Sequence, residues 1–182
     1  MREAVHDKTG HRVAFKVYDK YKLNTNQTNK KCVQREVTIL GKLTNTVNEE
    51  DGAKVDSEIL GHQGVMKLYD VIDTQRQLYL VVELCSGKML QTAVKESTSI
   101  GQVRKNLPEN VCASIIYQVM RAMEYYHSFN ISHRDIKLDN ILVDLKSKDF
   151  KTKIIDFGFA TRVSNPATKQ SAFCGTPAYM SP

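Results

Sequence analysis

The sequence predicts an α+β fold whose first half mixes strands with a helix and whose second half is mainly helical. Two patterns carry that reading. Residues 3–6, 11–18, 65–72 and 77–83 have the alternation or the short apolar runs of strands, and residues 108–129 hold one apolar stripe at helical spacing.

In chain order, Arg12 to Tyr18 places Val13, Phe15 and Val17 on one side and Ala14 and Lys16 on the other. Asp7-Lys8-Thr9-Gly10 precedes it as a turn, with glycine where a positive φ is easy, so 3–6 and 11–18 are predicted to form a hairpin. Asn29 to Leu43 is predicted helical: Val33, Val37 and Leu40 fall at i, i+4, i+7, Ile39 lies beside them, and Gly41 stands near the end. Residues 44–61 are polar and acidic and read as a loop insertion, either disordered or a docking surface. Val65 to Ile72 and Gln77 to Glu83 are predicted to pair antiparallel about a polar turn, and the apolar run Leu78 to Val82 is predicted to be buried. The stretch 95–106 reads as a polar loop. Leu107-Pro108-Glu109-Asn110 then starts a long helix, because proline and an acid both suit a first turn. Val111, Ile115, Val119, Ala122 and Tyr126 trace its buried stripe, and Tyr117, Tyr125 and Tyr126 are read as packing residues.

The 182 residues, 41% of them hydrophobic, suffice for a real core in one domain or in two small lobes. A formal charge of +6 favours acidic partners, phosphates included, but no nucleic-acid motif accompanies it, so no nucleic-acid partner is expected. Cys32, Cys85, Cys112 and Cys174 form no C-x-x-C pair, which argues against a zinc site and a disulfide framework and for a reducing compartment. No apolar run approaches the roughly 20 residues needed for a membrane span, and the start lacks a signal core. The expectation is a soluble protein, cytoplasmic or otherwise intracellular.

The most informative stretch is Ile131-Ser132-His133-Arg134-Asp135-Ile136-Lys137-Leu138-Asp139-Asn140-Ile141-Leu142, which packs acids, bases, an amide and a histidine between apolar flanks. Asp135, Lys137 and Asn140 fall in the order H-R-D-x-K-x-x-N, and Asp156-Phe157-Gly158 follows. Phosphoryl transfer needs a group that orients the attacking hydroxyl, a cation near the phosphoryl oxygens, and hard oxygen ligands for a metal. Each need finds a residue type here. Together with Val13-Ala14-Phe15-Lys16, these motifs resemble the eukaryotic Ser/Thr protein kinase family, loosely its calcium/calmodulin-dependent and AMP-activated members.

That resemblance implies a protein-kinase-like two-lobed fold, residues 1–84 in the small lobe and 85–182 in the large one, with ATP and Mg²⁺ as cofactors and a protein bearing a Ser or Thr hydroxyl as acceptor. It implies that Lys16 holds the α- and β-phosphates and that Glu36, on the small-lobe helix, pairs with Lys16. A lone helical glutamate would otherwise be read as a surface residue. Ala14 would touch the adenine, the Glu83 carbonyl and the Cys85 N–H of the Glu83-Leu84-Cys85 hinge would bond its edge, Val82 would guard the back pocket and Leu142 would form the floor. Asp135 would be the catalytic base, Lys137 the cation near the γ-phosphate, and Asn140 and Asp156 the metal ligands. His133, Phe157, Leu40 and Leu68 would stack into a column joining the lobes. Thr176 would bond toward Asp135 and Lys137. Lys88 stands where an acid often binds a substrate arginine, which argues against a preference for basic peptides, although Asp139 could still supply one acidic contact. Ser171, with Thr168 behind it, would be the target of an upstream kinase. The family's glycine-rich loop would precede Met1 and a glutamate would follow Pro182, so the fold is expected to be incomplete. Alternatives are a non-catalytic kinase-like regulatory binding module, or an incomplete gene-model fragment of a kinase.

Overall fold

The computed structural model describes residues 1–44, 61–98, 106–163 and 174–180. Of the expected insertion at 44–61, residues 45–60 lie outside the described residues, as do Thr168 and Ser171, while Thr44 is helical. By its contacts the chain divides into one unit of Met1–His62, Met66–Leu84 and Phe157–Ala160, and another of Gln63–Val65, Cys85–Asp156 and Thr161–Pro182.

In the first unit, β1 (Arg2–Val5) and β2 (Arg12–Asp19) pair antiparallel, Ala4 opposite Val13. The predicted turn closes with the Gly10 N–H donating to the His6 carbonyl at 2.8 Å, Gly10 taking φ +70. Asp19 caps a short α1 (Lys20–Thr25), its carboxylate accepting the Lys22 N–H. Asn26 accepts the Asn29 N–H in the same way, so α2 (Gln27–Thr44) begins two residues before the predicted start at Asn29. It buries Val33, Glu36, Ile39, Leu40 and Leu43. With β3 (Leu68–Asp73) and β4 (Gln77–Glu83) the sheet has the order β1-β2-β4-β3, all antiparallel. Ala14 lies opposite Val82 and Lys16 opposite Leu80. Leu80 and Val82 are fully buried, as befits the central strand.

The third strand is shorter than its apolar pattern suggested. Val65 belongs to the other unit, where it forms an isolated parallel bridge with Ile154. The strand proper starts at Leu68, whose N–H donates to Thr44 Oγ1 at 3.0 Å.

The second unit begins with β5 (Lys88–Met89), α3 (Leu90–Thr98) and α4 (Glu109–Ser128). The loop predicted from residue 95 is corrected here, since α3 continues to Thr98. Its anchors, Leu90 and Ala93, precede the polar stretch, and their burial overrides the local polarity. Every member of the predicted stripe on α4, from Val111 to Tyr126, is buried. Tyr117 is not a packing residue: it is 66% exposed, on a face with Ile116 and Met120. Next come β6 (Ile131–Ser132), a 3-10 turn at Leu138–Asn140, β7 (Ile141–Val143), β8 (Thr152–Ile154) and β9 (Thr161–Arg162). These form a three-stranded sheet, β5-β7-β8, and a β6-β9 pair whose first strand leads into the His133–Asn140 stretch.

Two local devices hold this arrangement. Gln118 of α4 accepts the Thr152 N–H and donates to the Asp149 carbonyl, which ties β8 to the helix. At Gly87, φ is +93 and an added Cβ would lie 2.2 Å from the Val143 carbonyl oxygen, so only glycine lets the chain approach β7 here. Among the described residues, no helix is long and apolar enough to cross a membrane.

Candidate active site

In the first unit the alternation of β2 sets Ala14, Lys16 and Tyr18 on one face. From α2, Glu36 meets that face. The Lys16 ammonium donates to both carboxylate oxygens, at 2.7 and 2.8 Å, and Glu36 is only 2% exposed. The surface reading of Glu36 is thereby set aside. Tyr18, which the sequence reading passed over, donates its hydroxyl to Glu36 Oε2 at 3.1 Å. Its signal was present in the sequence: Tyr18 is the i+2 neighbour of Lys16 on a strand. Burial, and then the Glu36 charge, push the phenol up to about 12. Ala14 and Val82 face each other across β2 and β4, both buried. At the end of β4, Glu83 is half-buried and exchanges backbone and side-chain bonds with Lys67, at 2.9 and 3.4 Å.

In the second unit, Cys85 is half-buried, and Leu142 sits on β7 opposite Met89 and Lys153. The turn between β6 and β7 concentrates the polar groups. Asp135 is buried and Asn140 donates to it twice, to its carbonyl at 2.9 Å and its Oδ2 at 3.0 Å. Lys137 reaches the same Oδ2 at 2.9 Å. Thr176 closes the ring, donating to Asp135 Oδ1 at 2.6 Å and accepting from Lys137 at 2.8 Å. Burial alone would raise the Asp135 carboxyl, but the bonds from Thr176, Lys137 and Asn140 outweigh it and hold the group below its ordinary range. The bond to Asp135 correspondingly raises Lys137, helped by the charges of Asp135, Asp139 and Asp156. Thr176 comes within reach because Gly175, at φ +106, packs on the Arg134 carbonyl, where an added Cβ would lie at 2.6 Å. Arg134 itself has φ 65 and Asp156 φ 63, backbone states that non-glycine residues seldom adopt.

Behind this ring, His133 is 2% exposed. Its Nδ1 accepts the Asp135 N–H at 3.2 Å and its Nε2 faces the Ile155 carbonyl at 3.4 Å, a pattern that only the neutral ring satisfies. Burial lowers its pKa, outweighing the bond to Ile155 and the nearby Asp156 and Asp135 charges. The sign follows directly. Below the ordinary value of 6.5 an unfolded chain binds a proton that the fold resists, so the stability from His133 is full above 6.5 and is lost as pH falls beneath it. Asp135, also lowered, loses its contribution as pH falls below 3.8. Thermal midpoints measured from pH 8 to pH 3 should therefore decline in two steps, and His133→Gln should remove the upper one. An unchanged upper step would show that His133 is not the group responsible.

The donor set suits a hard cation shared with phosphate oxygens. Asn140 commits its amide nitrogen to Asp135, so its Oδ1 is the acceptor of that side chain, and the Ile155 N–H bonds the Asn140 carbonyl at 2.9 Å next to Asp156. Among the described residues no three His, Cys, Asp or Glu side chains group as a metal cage. One carboxylate and one amide oxygen would suit a cation held jointly with phosphates, whereas a self-contained protein site needs more.

The model of the protein kinase domain matches residues 1–182. The chain belongs to the eukaryotic Ser/Thr protein kinase family. The probable serine/threonine-protein kinase fhkC of Dictyostelium discoideum is 31% identical to this kinase domain over 183 residues, covering 100% of the chain and 26% of that protein. The hormonally up-regulated neu tumor-associated kinase of Homo sapiens is 31% identical over 187 residues, covering 100% of the chain and 22% of that protein. Sperm motility kinase 3A of Mus musculus is 39% identical over 121 residues, covering 66% of the chain and 22% of that protein. The chain thus spans about a quarter or less of each relative's length. The α+β fold, with its antiparallel sheet ahead of a mainly helical part, is that of the family, whose members use ATP and a divalent metal.

Proposed function

We propose that this kinase domain transfers the γ-phosphoryl group of ATP to a Ser or Thr hydroxyl of a protein, with Mg²⁺ as the metal. The observation that carries the reading is the closed ring of Asp135, Lys137, Thr176 and Asn140, which holds a charged carboxylate in one orientation. Oδ2 already accepts two bonds and Oδ1 one, so Oδ1 keeps acceptor capacity for an incoming hydroxyl. A carboxyl held below its ordinary pKa is a weak base, which fits a group that orients the hydroxyl and takes its proton late in the transfer. Lys137 supplies positive charge beside that path, and Lys16, aimed by Glu36, would hold the α- and β-phosphates. Asn140 Oδ1 and the Asp156 carboxylate would hold the magnesium ion, which when bound neutralises phosphate charge. Ala14, Val82, the Glu83 and Cys85 backbone and Leu142 would surround the adenine.

The first unit (residues 1–84) and second unit (85–182) would act as the small and large lobes, although the assignment by contacts gives 157–160 to the former and 63–65 to the latter. Lys88 is paired with Glu96, so a substrate arginine would have to compete with Lys88 for that carboxylate, and acceptors without a nearby arginine are favoured. Ser171 and Thr168 are proposed as targets of an upstream kinase, and the site of action as intracellular.

The test is transfer of label from γ-labelled ATP to a library of Ser- and Thr-containing peptides. Label on Ser or Thr that disappears when magnesium is chelated supports the reading. Nucleotide binding with no transfer to any peptide would replace it with a regulatory, non-catalytic module.

A further inference from the structure

Glu36 is a buried carboxylate, and a buried charge needs several donors to offset its lost hydration. Lys16 provides two contacts, yet the proposed function asks the same ammonium to serve phosphate oxygens. An ammonium has three N–H groups, so with two on the carboxylate it cannot hold both the α- and the β-phosphate unless one of those two turns away from Glu36. The structure holds a third donor that does not face this conflict. Tyr18 gives its hydroxyl to Glu36 Oε2 at 3.1 Å, and its ring centroid lies 5.7 Å from the Lys16 nitrogen. The ring therefore sits within cation–π range of the ammonium while its hydroxyl serves the carboxylate.

Resting on the phosphate-binding reading of Lys16, we propose that Tyr18 is a positioning residue for the nucleotide phosphates: its hydroxyl keeps Glu36 satisfied while Lys16 shares its protons with phosphate, and its ring keeps the ammonium in place. Tyr18 touches neither the nucleotide nor the reacting atoms in this scheme. It acts through Glu36 and Lys16 alone. The raised phenol pKa agrees with this, since the hydroxyl stays a donor throughout the neutral range.

The scheme separates phosphate recognition from adenine recognition, which makes it testable by binding alone. Affinities for Mg-ATP, Mg-ADP and adenosine would be titrated on the full chain, on Tyr18→Phe, on Lys16→Met/Glu36→Leu, and on the triple variant. Tyr18→Phe keeps the ring and should weaken ATP and ADP about fivefold, the net worth of one hydrogen bond, while leaving adenosine unchanged. Lys16→Met/Glu36→Leu removes the ion pair without leaving a lone buried charge and should weaken ATP and ADP further. Adding Tyr18→Phe to it should then change nothing. Loss of adenosine affinity equal to that of ATP would make Tyr18 a packing residue and overturn the proposal. So would an unchanged Tyr18→Phe beside a Lys16→Met/Glu36→Leu variant that does lose ATP. If Lys16→Met/Glu36→Leu itself spares ATP relative to adenosine, the phosphate-binding reading of Lys16 fails, and the role of Tyr18 falls with it.

Discussion

Asp135→Asn is expected to lower kcat by about 10²–10⁴-fold while leaving the affinity for nucleotide nearly unchanged. The amide has one acceptor oxygen where the carboxylate has two, and three donors converge on that carboxylate in the ring: Asn140, Lys137 and Thr176. At least one of them would meet an N–H group, and Lys137 would lose the carboxylate charge that helps to raise its pKa. The oxygen left to accept a substrate proton would then be neutral, so the loss belongs to the acceptor hydroxyl and appears in kcat. Steady-state kinetics together with nucleotide titration checks this. Equal losses of turnover and nucleotide binding would reject Asp135 as the orienting base and return it to a structural role.

Lys16→Met should cost about 3 kcal/mol of unfolding free energy at pH 7, because it leaves Glu36 buried without its cation. Tyr18 still donates one bond, which places the loss toward the lower end for a broken buried pair. The informative comparison is with Lys16→Met/Glu36→Leu. An apolar pair of similar volume should recover most of the lost stability, because buried ion pairs owe much of their apparent worth to the charge stranded when one partner goes. Denaturant titration of both variants decides the matter. A Lys16→Met protein as stable as the parent would mean that Glu36 is not held buried by this pair.

Much of the fold could be read from residue patterns whose cause is local. The hairpin follows from alternation about Asp7–Gly10, and the stripe on α4 from its apolar spacing, since a helix or strand buries the face its own period presents. The errors arose where distant contacts prevail. Leu90 and Ala93 carry α3 through a polar stretch, Val65 leaves its apparent strand to bridge Ile154, and Tyr117 is exposed although an aromatic on a long helix reads as core.

The candidate site divides along the same line. The motifs H-R-D-x-K-x-x-N, Asp156-Phe157-Gly158 and Val13-Ala14-Phe15-Lys16 were enough for a resemblance to the family, which the protein kinase domain match over residues 1–182 then showed. Which oxygen of Asp135 each donor takes, that Glu36 is buried, and that Tyr18 shares it with Lys16 were decided only by tertiary structure. Hydrogen bonds between residues 18 and 36, or 135 and 176, depend on strand register, helix phase and the close approach at Gly175, and those are set by packing across the whole unit.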